Sequence, residues 1–95
     1  MKHNKLFTFN YLVYEVKSLE INLEELANLI LQDLGKLKWD TNLALKHFCY
    51  NMRSFLVKLG LSENTELGKY DLDYLYESIQ EDLANILEEK KNSKE

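Results

Sequence analysis

The sequence predicts an all-α fold, a small single-domain bundle of three to four helices. Three observations carry that reading. None of the 95 residues is proline, so nothing forces a kink inside a helix. Apolar residues recur at spacings of three and four along most of the chain, the period of a helix with one buried face. The three glycines, Gly35, Gly60 and Gly68, each stand where such a pattern stops. Helices are expected at about 6–20, 23–37, 41–59 and 72–90, with a mobile N-terminus (1–4) and a frayed polar tail (91–95).

The first element is the ambiguous one. Phe7, Phe9, Tyr11 and Val13 alternate as in a strand, and aromatic and β-branched content agrees with one. Phe9, Leu12, Val13, Val16 and Leu19 equally make a helical face. No second strand is evident, and a lone strand leaves its backbone groups unpaired. The segment therefore reads as helix. Such a helix is apolar on two sides, which exposes Phe7, Tyr11 and Tyr14 as a possible dimer or second contact patch.

The second element begins at Asn22, an N-cap with Glu25 three residues on and Ile21 and Leu26 placed for a hydrophobic staple. Leu23, Leu26, Ala27, Ile30, Leu31, Leu34 and Leu37 share its apolar face, and Gly35 ends or frays it. Asp40 or Thr41 caps the third, whose inward positions are Leu45, Phe48, Cys49, Met52, Phe55, Leu56 and Leu59. Gly60 suits the left-handed residue of a Schellman stop, with Leu61 reaching Leu56. A loop with one possible helical turn at 62–67 leads to the last helix, which starts after Asp71. Leu72, Leu75, Tyr76, Ile79, Leu83, Ile86 and Leu87 line its inner face.

Composition bounds the function. Hydrophobic residues at 45% and charged ones at 29% are ordinary globular values. A single cysteine, Cys49, cannot close an internal disulfide, so a cytoplasmic protein is expected. The N-terminal stretch lacks the pattern of a signal peptide, and no apolar run approaches a bilayer span. Charge is split along the chain. Residues 1–60 hold eight Lys and Arg against six Asp and Glu, and residues 61–95 hold four against ten. Such asymmetry suits a macromolecular partner met by one face.

No motif supports an enzyme. On a helix His47 and Cys49 point about 160° apart, so they share no ligand or catalytic site. Cys49 reads as a small core hydrophobe. The inward ExxE and ExxD clusters of the all-helical nucleotide pyrophosphohydrolases are not matched, because Glu77 and Glu81 are four apart and face outward. No cofactor and no metal is expected.

Two surfaces remain as candidates. Leu43, Lys46, Tyr50, Arg53 and Val57 form one stripe of the helix at 41–59, opposite its core face. Internal packing, a protein interface and phosphate contact with Tyr50 stacking all suit this stripe. An acidic pI near 5.2 disfavours direct nucleic-acid binding. Glu77, Glu81 and Glu88 form an acidic stripe on the last helix. It suits a solvated face, or an acidic nucleic-acid mimic of the phage or mobile-element type that blocks a nucleic-acid-binding protein. The expected function is thus a small non-enzymatic regulator, inhibitor or adaptor that contacts another protein, with homo-oligomerisation possible and no membrane partner.

Overall fold

An antiparallel hairpin occupies the segment read above as the first helix, so the fold is α+β and the all-α bundle is corrected. The structure, a computed structural model, describes residues 6–12, 14–61 and 67–93. The expectations for residues 1–4, Val13, the turn at 62–66 and the tail end at 94–95 lie outside the described residues. Strand β1 (Leu6–Leu12) pairs with β2 (Val16–Asn22), from Leu6 opposite Asn22 to Leu12 opposite Val16. The partner strand was present in the sequence but disguised. VKSLEIN shows its period of two only through Leu19 and Ile21, and no Asn-Gly or Asp-Gly marks the turn before it.

The two strands bury one face. Phe9, Tyr11, Leu19 and Ile21 point into the core, Phe7 is half-buried, and Thr8, Asn10, Ser18 and Glu20 face solvent. Phe9 stacks on Tyr11 with centroids 6.1 Å apart and also meets the Tyr74 ring at 5.9 Å. A two-stranded hairpin is marginal by itself, so this face must be covered by helices to persist.

Helix α1 (Leu23–Leu34) follows β2 without a loop. Asn22 ends the strand and caps the helix, its Oδ1 accepting from the Glu25 amide at 3.0 Å. Ile21 and Leu26 are both fully buried, as a staple requires. The helix stops at Gly35, φ 63°, three residues short of the expected end, and Leu37 is left exposed.

The single helix expected over 41–59 is two. Helix α2 (Thr41–Tyr50) is capped by Asp40, which accepts from the Leu43 amide at 2.8 Å. Helix α3 (Met52–Lys58) resumes after Asn51, whose φ of −128° leaves the helical region. The Asn51 amide donates to Phe48 O, so the His47 carbonyl loses its usual backbone donor. Asn51 Nδ2 donates to that carbonyl at 2.8 Å and replaces the missing bond. The break is a side-chain substitution for one backbone hydrogen bond, which is why no Pro or Gly is needed there. The core face continues across it through Ala44, Leu45, Phe48, Met52, Phe55 and Leu56. Gly60, φ 85°, closes α3 with Leu61 N–H to Leu56 O and Gly60 N–H to Val57 O, the two bonds of a Schellman stop.

Helix α4 (Lys69–Ser93) is the spine, about 37 Å long. It starts two residues before Asp71, not after it. Asp71 Oδ2 accepts from the Gly68 amide at 3.1 Å, the acid's half of a capping box. It also runs past the fraying expected near Lys91. Leu75, Ile79, Leu83, Ile86 and Leu87 are buried against α1, α2 and the hairpin. Lys90 Nζ pairs with Glu24 at 2.6 Å, and Lys91 Nζ donates to Trp39 O at 3.1 Å and lies over the Trp39 ring. These ties hold its last turns. Among the described residues, no helix is long and apolar enough to cross a membrane.

Candidate functional site

The stripe at positions 43, 46, 50, 53 and 57 lies on the outer surface of α2 and α3. Two apolar helix faces cannot both be inward, and Phe48, Met52 and Phe55 take the core side. Leu43, Lys46, Tyr50, Arg53 and Val57 are therefore all exposed, and Tyr50 is 80% exposed. The stripe runs about 21 Å along the helix direction. The internal-packing reading, in which Leu43, Tyr50 and Val57 pack on another helix, does not hold, since all three are exposed.

Arg53 differs from its neighbours. Its guanidinium Nη2 donates to the Leu67 carbonyl oxygen at 2.5 Å, and Leu67 is itself buried. The side chain thus ties α3 to Leu67, two residues before α4, whatever else it touches. Lys46 and Tyr50 have no hydrogen bond or ion pair among the described residues. Beside Tyr50, an open groove of about 430 Å³ runs between the α2–α3 break and the start of α4, lined in part by Cys49, Met52, Lys69, Leu72 and Asp73. Cys49 is exposed there, at the edge of the apolar face, and not in the core as expected. Next to it, burial pushes the Tyr76 phenol up, with Cys49 adding to the shift.

A polar cluster sits at the other edge of the stripe. His47 Nε2 lies 2.7 Å from Asp33 Oδ2, and Lys58 Nζ donates to Asp33 Oδ1 at 3.2 Å. The His47 hydrogen bond, then that of Lys58, holds the Asp33 carboxyl below the usual carboxylate range. His47 Nδ1 faces Asn51 Nδ2 at 3.5 Å, and the ring packs edge-on to Phe55. Both ring nitrogens are turned to protein groups, and neither is aimed at a nucleophile. The cluster fastens α1 to α2 and α3. Among the described residues, no group of three or more His, Cys, Asp or Glu is arranged to hold a metal ion.

The other two sets are dispersed. Of Phe7, Tyr11 and Tyr14, the hairpin turns Tyr11 into the core and half-buries Phe7, and only Tyr14, at the turn, is fully open. Helical spacing placed all three together; the strand keeps Phe7 and Tyr11 on its inward face, and the turn sets Tyr14 apart from them. On α4, Glu77, Glu81 and Glu88 are exposed, but Glu88 Oε1 accepts a hydrogen bond from Thr41 Oγ1. Asp73 pairs loosely with Lys69 at 4.0 Å, and Asp71 caps the helix. Of the three acids of the stripe, Glu88 is thus shared with α2, and Glu77 and Glu81 remain as a pair of exposed carboxylates one turn apart. Tyr70 and Tyr74, one turn apart at the start of α4, are exposed aromatics that sequence reasoning left without a surface role. Their signal was available, since both fall outside the arc of Leu75, Ile79 and Leu83.

No protein-family model matches this sequence, and no curated protein and no solved structure matches it either.

Proposed function

We propose that this chain is a non-enzymatic cytoplasmic interaction protein, a regulator, inhibitor or adaptor that docks another protein on the α2–α3 stripe. One observation supports the reading above the others. A large aromatic, Tyr50, stands almost clear of its own fold between the exposed aliphatics Leu43 and Val57, with an open groove at its side. A domain of this size has no stability reason to present that row, since its core is already filled by Phe48 and Phe55. Aromatic anchors of this kind carry most of the energy of protein interfaces when a partner pocket desolvates them. Lys46 adds a free positive charge beside the anchor, which orients an acidic rim on the partner and raises the on-rate. Direct phosphate binding is less well supported, because Arg53 is already committed to the Leu67 carbonyl.

Affinity capture from the source cells tests this reading, using the wild-type chain and the Tyr50→Ala, Val57→Ser double variant. The expected result is one or a few proteins retained by the wild type and lost with the variant, at equal helicity and melting temperature. An identical set of captured proteins would remove the stripe from consideration.

A further inference from the structure

Strand β1 lies at an edge of its sheet, because the sheet holds two strands among the described residues. Proteins usually protect such an edge with charge, proline or a bulge. β1 has none of these. Its sequence, LFTFNYL, carries no charged residue and no proline, and every residue pairs one-to-one with β2. β2, by contrast, carries Lys17 and Glu20.

The same seven residues are symmetric in chemistry about Phe9. Leu6 mirrors Leu12, aromatic Phe7 mirrors aromatic Tyr11, and polar Thr8 mirrors polar Asn10. A two-fold axis through an antiparallel pair matches residues in just this way, position by position. We infer that β1 is a dimerisation edge, and that its occupant is β1 of a second copy of this chain, antiparallel and centred on Phe9.

Charge and side-chain placement both favour that occupant. In the four-stranded sheet β2–β1–β1–β2, the strands at the axis bring no charge to each other. Lys17 stands beside Tyr11 and then Phe7 of the second copy, and Glu20 beside Thr8 and then Asn10, so no like charges meet. On the outer face, Leu12 and Val16 are each 70% exposed and Leu6 is 60% exposed. Within one chain Leu6 lies at the opposite end of the hairpin from the other two. Across the axis Leu6 of one copy lands beside Leu12 and Val16 of the other, twice per dimer. Three unexplained exposed aliphatics thus become two small apolar clusters. A ladder of about 23 Å is short for a protein interface, so the dimer is weak and concentration-dependent.

Sedimentation velocity across a concentration series of the full chain is the test. The wild type is expected to pass from monomer to dimer. Thr8→Lys with Asn10→Lys, both on the solvent face of the monomer, sets like charges opposite each other at the axis. It should weaken dimerisation roughly tenfold or more. Mixing it with the Thr8→Glu, Asn10→Glu chain should restore a dimer of one copy of each. Should the charged variants fold poorly, hydrogen exchange on the wild type decides instead, with β1 amides slowing as concentration rises and α4 amides unchanged. A wild type that stays monomeric overturns the inference. So does a lysine variant that dimerises like the wild type, or growth into open-ended polymers.

Discussion

The Arg53 guanidinium donates to the carbonyl oxygen of Leu67, fourteen residues on, at 2.5 Å. An Arg placed among exposed contact residues is thereby a fastening between α3 and the start of α4. A charged hydrogen bond to a backbone carbonyl is worth more than a neutral one, about 1.5–3 kcal/mol when removal leaves the acceptor unsatisfied. Partial exposure lets water recover part of that. Arg53→Ala is expected to cost about 1–2 kcal/mol in urea denaturation. Tyr50→Ala and Lys46→Ala, which lose no contact of this kind, should stay within about 0.5 kcal/mol of the wild type. Equal losses for all three would mean that the stripe is structural throughout.

Acid stability should depend on Asp33. Its carboxyl is held below the usual value in the folded state by His47 and then by Lys58. The folded protein therefore binds that proton less readily than the unfolded chain. The stabilisation is present above the unfolded value of about 3.9 and is lost as pH falls through the lower folded value. Melting temperatures measured from neutral pH downward should drop below about pH 4, and Asp33→Asn should flatten that limb while lowering the neutral plateau. A limb of unchanged steepness in the variant would assign it to other carboxylates.

Gly60 and Gly68 should respond differently to alanine. At Gly60, φ 85°, a Cβ meets no heavy atom within 4 Å, so any cost is purely conformational. Gly60→Ala should lose about 1–2 kcal/mol. At Gly68 the backbone lacks a positive φ, and the nearest atom to a Cβ is Asp71 Oδ2 at 4.0 Å. Gly68→Ala should be close to neutral by thermal melting.

Phe9 tests whether the hairpin belongs to the same cooperative unit as the helices. Its ring is buried, stacked on Tyr11 and against Tyr74. Phe9→Ala should cost about 3–5 kcal/mol and lower the helical and tertiary melting signals together. Loss of the hairpin signal alone, with helix melting unmoved, would separate the two.

The sequence by itself determined the features that depend on a few neighbouring residues. Asn22 caps α1 where its spacing from Glu25 placed it, and of the two candidates Asp40 and Thr41 it is Asp40 that caps α2. Gly60 closes α3 with both bonds of its motif, and the inward residues of α1 and α4 were legible from helical period alone. Caps, stops and periodicity are local, so one segment carries all their information. Tertiary structure decided the rest, because it depended on partners distant in sequence or on competition for one core. Residues 6–22 fit two periods, and only a covering surface on α1 and α4 made the pleated face with Phe9 and Ile21 the better burial. The two faces of α2 and α3 competed likewise. Phe48 and Phe55 filled the space against α1 and α4, and that left Tyr50 outside, where it is free to meet a partner.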